Sequence, residues 1–219
     1  AYYSGLTSGS VYYVQVDGWS NDVGTFCIEV HQTFDLPAPA TCTSYTQTSV
    51  NGNTAPTKWF NIFSKPGSAE IGVPVAAVKS SSNLGTVTVQ EILNSTVPTA
   101  PNGVKYMQRY YNFECTQNSG ASKQMRLFFK DSEFDALKTA TGLGSATIDD
   151  LNISHYDGTN ENCTPVGNGS NTYTLINAVT GTEIGTSGYF YLDFTSPSFS
   201  EMGAVLGLQS LPVELVSFS

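Results

Sequence analysis

The 219-residue sequence has few charged residues, almost no histidine and no long apolar segment. Charged residues make up 12% of the chain, whereas an average soluble domain has roughly 25%. Nine basic residues face 18 acidic ones, for a formal net charge of −9, and this balance argues against nucleic acids and anionic membranes as partners. No run approaches the roughly 20 apolar residues of a membrane span. With 40% hydrophobic residues the chain can still build a core.

The scarcity of reactive side chains also limits catalysis. His31 and His155 are the two histidines, and neither lies near a Gly-x-Ser-x-Gly motif. The acidic residues Asp149 and Asp150, and Asp157 with Glu161, could meet in space, but nothing in the sequence indicates a cleft between them. We therefore predict a protein that is not an enzyme and that has no cofactor.

The remaining composition, rich in Ser, Thr, Gly and Tyr, is typical of exported bacterial β-proteins. The chain opens without the charged segment of a signal peptide, so we expect a mature or internal piece of a longer protein. Short β-rich runs alternate with clusters of Gly, Asn, Ser and Pro, a pattern that predicts an antiparallel β-sandwich. We predict strands near residues 58–64, 71–78, 86–93, 103–114, 124–129, 151–156, 172–176 and 188–194.

One short helix interrupts this all-β pattern. Asp131 or Ser132 can cap it, and Ser132 with Asp135 fits a capping-box pattern. Phe134 and Leu137 give an apolar stripe, and Gly142 is a natural stop. We expect this helix to close one end of the sandwich.

The chain divides into four predicted regions. Residues 1–35 contain two alternating runs around the turn-rich segment 17–22 and predict a β-hairpin that ends a preceding β-domain. Residues 36–56 begin with Leu-Pro-Ala-Pro-Ala and are predicted as a linker. Residues 57–210 form the predicted sandwich, and residues 211–219 alternate like the start of a further strand or domain.

The four cysteines are too far apart for a C-x-x-C motif, and their even number favours two disulfides. Pairing by region joins Cys27 to Cys42 across the linker and Cys115 to Cys163 within the sandwich. Four cysteines allow three pairings, so this connectivity is a hypothesis, and buried free thiols are the alternative.

Two ligand classes follow from the loops and aromatic residues. The oxygen-rich segment 157–162 offers Asp157, Asn160 and Glu161 as weak calcium candidates, and segment 17–22 is similar, although an Asx-rich turn without metal explains both. A sugar-stacking platform is the second class. Its candidate rings are Tyr110, Tyr111, Tyr189, Phe190 and Tyr191. Because neighbours in a strand face opposite sides, we expect one ring of each neighbouring pair to lie in the core.

Three stretches resemble known bacterial modules. Residues 12–18 (YYVQVDG) with residues 24–26 are similar to the end of the pre-peptidase C-terminal β-domain found beside secreted peptidases. Residues 106–111, 127–134 and 151–158 look like a β-sandwich module of large secreted proteins of Bacteroidetes. Residues 198–203 (SFSEMG) with 211–215 (LPVEL) resemble the segment that leads toward a type IX secretion signal, and the sorting domain itself is not in the sequence.

The resemblance implies an extracellular or cell-surface location and carries no shared catalytic residues. We expect a non-catalytic structural or adhesive module, whose partners are other β-domains of the same protein or neighbouring subunits. Open strand edges would also allow assembly into a filament by strand pairing. The alternative is an accessory module of a secreted peptidase or glycan-degrading enzyme that binds carbohydrate or substrate.

Overall fold

A computed structural model describes residues 36–64, 73–101, 103–156, 158, 161–165, 173–177, 179–185 and 188–207. The predicted N-terminal hairpin (1–35), including Cys27 and His31, and the predicted strand at 211–219 lie outside these residues. Eleven strands and one α-helix are described: β1 (Thr43–Asn51), β2 (Phe60–Phe63), β3 (Pro74–Lys79), β4 (Asn83–Leu93), β5 (Tyr106–Cys115), β6 (Lys123–Lys130), α1 (Asp131–Thr141), β7 (Leu151–Tyr156), β8 (Tyr173–Ile176), β9 (Val179–Glu183), β10 (Tyr189–Ser196) and β11 (Glu201–Leu206).

The strands form two antiparallel sheets, which confirms the predicted all-β architecture with one short helix. Sheet A has the order β1-β4-β5-β11-β7-β8, and sheet B has the order β2-β3-β6-β10-β9. The sequence pattern predicted the positions of eight of these strands. It missed β1, β9 and β11.

Strand β1 corrects the prediction of a linker over residues 36–56. Seven of its residues pair with β4, so this part of the chain belongs to sheet A. The segment before it is also held in place: the Leu93 amide donates to the Pro39 carbonyl at 2.8 Å, and Arg109 Nη1 donates to the Pro37 carbonyl at 2.7 Å. The prolines thus stiffen a segment that lies against strands β4 and β5.

Helix α1 begins at Asp131, which is one residue earlier than a cap at Asp131 predicts and two residues earlier than a cap at Ser132 predicts. Lys130 is the N-cap, and the Glu133 carboxylate accepts the Lys130 amide at 3.4 Å. The predicted Ser132–Asp135 capping box is therefore wrong, because Ser132 already lies within the first turn. Gly142 ends the helix with φ 75°, in the left-handed conformation that glycine adopts most easily. The helix contacts β5 and β11 of sheet A and β6 of sheet B.

The main core lies between the two sheets and is rich in aromatic rings. Tyr111 meets Phe129 edge-on with 5.8 Å between ring centroids, and Phe129 stacks on Phe190 at 5.6 Å. A smaller buried cluster consists of Ala100, Tyr106, Tyr110 and Val205. Apolar contacts of this kind are the main source of folding stability.

Candidate functional site

A buried ionic cluster joins sheet A to helix α1. Arg109 in β5 donates to Glu91 of β4, and its Nη2 lies 2.6 Å from Glu133 Oε1 of the helix. All three residues are at most 3% exposed. Burial raises the pKa of Glu91, and the Arg109 guanidinium opposes this effect. Burial also raises the pKa of Tyr45 to about 12, with the Glu91 carboxylate as the second cause. The cluster therefore connects strands β4 and β5 of sheet A to helix α1 through buried ion pairs.

The disulfide in the described residues joins Cys42 to Cys163, with 6.1 Å between their Cα atoms. The predicted pairs Cys27–Cys42 and Cys115–Cys163 are therefore wrong. Cys42 was assigned to a free linker, whereas the structure holds it at the start of β1. Cys115 is a partly buried thiol whose Sγ donates to the Gln117 carbonyl at 2.9 Å. Burial raises the pKa of the Cys115 thiol, which disfavours the reactive thiolate.

The loop that carries Cys163 is held by acidic side chains. Glu201, fully buried in β11, accepts the amides of Asn162 and Cys163. Of the calcium candidates, Glu161 accepts the Ser200 hydroxyl at 2.8 Å, while Asp157 and Asn160 lie outside the described residues. Among the described residues, no group of three or more His, Cys, Asp or Glu side chains is arranged to hold a metal ion.

The remaining catalytic candidates have structural partners. His155 in β7 is fully buried, and its Nε2 lies 3.3 Å from the Ser198 hydroxyl. Asp150 accepts the Thr147 amide at 2.8 Å and so caps a one-turn 3-10 helix. Asp149 and Asp150 border a shallow depression of about 480 Å³.

The candidate rings of β10 alternate as predicted, whereas the expectation that one of Tyr110 and Tyr111 would be exposed is wrong, because the two rings are buried in different apolar clusters. Tyr110, Tyr111 and Phe190 are fully buried, whereas Tyr189 and Tyr191 are partly exposed. Tyr189 and Tyr191 lie on the outer face of sheet B, the side that points away from the core.

The outer face of sheet B carries a group of partly exposed polar and aromatic side chains that contact one another. Arg126 of β6 forms a two-point ion pair with Asp193 of β10, at 2.7 Å for each contact. Its guanidinium lies 3.8 Å from the Tyr191 ring centroid and 4.7 Å from that of Trp59. Lys79 Nζ lies 5.2 Å from the same Trp59 ring. These contacts hold the rings in fixed positions.

A depression of about 310 Å³ lies beside Trp59 on this face, at the lower end of the range for small-molecule sites. It is lined by aromatic, cationic, amide, hydroxyl and carboxylate groups: Trp59, Lys79, Gln124, Thr180, Asp193, Phe194 and Thr195. Tyr189 and Tyr191 of this face were predicted from the sequence, whereas Trp59 and the Arg126–Asp193 pair were not. The alternation in β6 and β10 indicates that Arg126 and Asp193 point outward, but not that they pair, and it carries no signal for Trp59, which precedes β2.

Comparison of the chain with protein-family models, with curated proteins and with solved structures gives no match in any of the three. The described part of the chain contains no helix that is long and apolar enough to span a membrane.

Proposed function

We propose that this chain is a non-catalytic structural and adhesive module of an extracellular or cell-surface bacterial protein. The observation that carries the proposal is the Cys42–Cys163 disulfide. Disulfides persist in oxidising compartments and are rare in the reducing cytosol of most bacteria. The bond fastens the start of β1 to the loop after β7, so it constrains most of sheet A. A tightly fastened β-scaffold suits a module that bears load or spaces other domains.

The test compares the same 219-residue chain produced with export to an oxidising compartment and without it. We expect the exported protein to yield a Cys42–Cys163 peptide under non-reducing conditions and to resist proteolysis over the described sandwich. Cys42→Ser should remove both properties, and Cys115→Ser should keep them. Alkylation of Cys42 and Cys163 in the folded, exported protein would contradict the proposal.

The non-catalytic part of the proposal is tested at the one described serine–histidine contact. Ser198 and His155 are 3.3 Å apart, but the imidazole is buried in β7. We expect a fluorophosphonate probe to leave Ser198 unlabelled. Labelling that disappears in His155→Gln would indicate a nucleophilic serine and overturn this part.

Assembly through strand edges is a finer form of the same proposal. Three of the four described edge strands are short: β2 and β8 have four residues each, and β9 has five. The longer edge strand β1 is irregular at Ser49, where φ is 58°. Short and bulged edges disfavour pairing with another chain. A filament would therefore depend on residues outside the described part of the chain.

A second candidate function is carbohydrate binding as an accessory module, and the outer face of sheet B favours it. Partly exposed rings beside amide, hydroxyl and charged groups can combine stacking with hydrogen bonds. Binding of any soluble polysaccharide that is lost in Trp59→Ala and retained in Lys138→Gln, on helix α1, would support this candidate. If Trp59→Ala and Lys138→Gln bind the polysaccharide equally well, the carbohydrate-binding candidate is contradicted.

A further inference from the structure

One face of this acidic protein carries three basic side chains and a single carboxylate among the described residues of its sheet. Lys79, Arg126 and Lys130 have side chains on the outer face of sheet B, which is a third of the nine basic residues in the chain. Among the described residues of sheet B, Asp193 is the one carboxylate whose side chain faces the same way. The net charge of the chain is −9, so this face opposes the charge of the rest of the molecule.

Strand register places Arg126 and Lys130 in one line along β6, and Lys79 lies on β3 opposite Gln124 at one end of that line. Gln124, Arg126, Phe128 and Lys130 alternate outward along β6, and the β10 residues opposite them are Thr195, Asp193, Tyr191 and Tyr189. Phe128 is 6% exposed, and its ring meets Tyr191 edge-on. At about 3.4 Å per residue the line is roughly 20 Å long. A linear polymer can follow a strip of this length, and one of its units can enter the 310 Å³ depression beside Trp59.

We propose that the outer face of sheet B binds acidic polysaccharide, with sugar rings packing against the sides of Trp59 and Tyr191 that Arg126 does not cover and with Lys79 pairing with a sugar carboxylate. This inference rests on the carbohydrate-binding candidate and adds the charge class of the ligand. Aromatic ring faces attract the polarised C–H groups of a sugar. Lys79 contacts the Trp59 ring, so one sugar unit can meet both.

Arg126 is a positioning residue in this proposal. Its guanidinium is paired with Asp193, and it lies against both the Trp59 and Tyr191 rings. It therefore fixes the distance between the two rings before ligand arrives, which lowers the ordering cost of binding.

The experiment uses the full 219-residue chain and two forms of one polymer, polygalacturonate and its fully methyl-esterified form. The two share the same sugar ring and differ in carboxylate charge. We expect polygalacturonate to bind about tenfold more tightly at low salt, and this preference to vanish at about 1 M salt, where the Debye length is near 3 Å. Isothermal titration calorimetry measures both affinities.

Matched variants separate the contributions. Trp59→Ala should weaken both polymers, whereas Lys79→Gln should weaken polygalacturonate alone, by about fivefold to tenfold at low salt. Lys138→Gln removes the same charge on helix α1 and should leave both affinities within about twofold of wild type. Circular dichroism and the thermal midpoint establish that each variant is folded, and Lys79→Gln keeps the test available if Trp59→Ala unfolds.

Each other outcome overturns the inference in a distinguishable way. Equal binding of the two polymers, lost in Trp59→Ala, would keep the carbohydrate function and refute the acidic class. Binding of neither polymer would refute both, and would leave the disulfide-based structural function standing. Self-association of the chain that Lys79→Gln and Trp59→Ala abolish would assign the face to a second copy.

Discussion

Arg109 and Glu133 form a buried ion pair that joins strand β5 to helix α1, with 2.6 Å between Nη2 and Oε1. Because Arg109 also contacts Glu91 and the Pro37 carbonyl, one guanidinium connects sheet A, the helix and the segment that enters β1. The helix follows directly after β6 of sheet B, so this pair helps to fasten the two sheets at the same place.

Arg109→Met should destabilise the protein strongly, since it leaves two carboxylates buried without their cation. We expect a loss of about 3–5 kcal/mol in the free energy of unfolding, measured as a lower midpoint in guanidinium chloride. Arg126→Met is the matched control, because its pair with Asp193 is partly exposed and should contribute about 1 kcal/mol or less. Equal losses in the two variants would contradict the assigned role of Arg109.

Glu91 should make stability depend on pH in a direction opposite to that of an ordinary salt-bridged carboxylate. Its pKa in the folded state is raised, chiefly by burial, above the value of about 4.3 in an unfolded chain. The folded state therefore binds this proton more tightly than the unfolded state does. The resulting stabilisation of the folded protein is complete at pH values below the unfolded-state pKa of about 4.3. It is lost as the pH rises through the folded pKa.

The measurement compares wild type with Glu91→Gln by chemical unfolding between pH 4 and pH 8. Any advantage in stability of wild type over the variant should shrink as the pH rises, since Gln cannot ionise. Glu114→Gln, on the exposed part of β5, is the control for removing a carboxylate from the same strand. An advantage that grows with pH would show that Arg109 dominates over burial and would contradict the prediction.

The fold class could be predicted from sequence because both of its signals are local. Alternation of apolar residues gave the strands with a buried side, and the turn-forming clusters gave their limits. Strand β7 was predicted with its observed limits, Leu151–Tyr156. Strand β1 was missed because it lies after two prolines and is rich in Thr and Ser, and its pairing with β4 depends on tertiary structure.

The site and the disulfide could not be predicted from local patterns. Cys42 and Cys163 are 121 residues apart in the sequence. They lie close in space because the 36–42 segment is held against β4 and β5. The face around Trp59 combines residues of β3, β6 and β10 with the residue before β2, so it exists only once sheet B has formed. The sequence carries one local indication of the buried ion pair, namely that the cationic residue Arg109 lies among the aromatic residues of β5.

Cys42→Ser should reduce stability far more than Cys115→Ser. A cross-link over 121 residues is worth about 5 kcal/mol in the chain-entropy model. Cys115 makes a hydrogen bond to a carbonyl, which a serine hydroxyl can also make. The difference in stability is checked by measuring the unfolding midpoints of wild type and both variants with and without reductant. Reductant should lower the midpoint of wild type and leave that of Cys42→Ser unchanged, and a reductant-sensitive Cys42→Ser would contradict the pairing.

Gly203→Ala should destabilise the sandwich because β11 passes closely beneath two buried tyrosines. A Cβ atom at Gly203 would lie 2.5 Å from Tyr110 Cδ2 and 2.7 Å from Tyr106 Cδ1, and both rings are fully buried. The rings cannot both withdraw, so we expect a loss of about 1–3 kcal/mol, typical of overpacking. Gly120→Ala is the control, since a Cβ there meets nothing within 4 Å and should change stability by less than about 0.5 kcal/mol. Thermal and guanidinium unfolding of both variants decides the matter, and a Gly203→Ala protein as stable as Gly120→Ala would mean that Tyr110 and Tyr106 repack without cost.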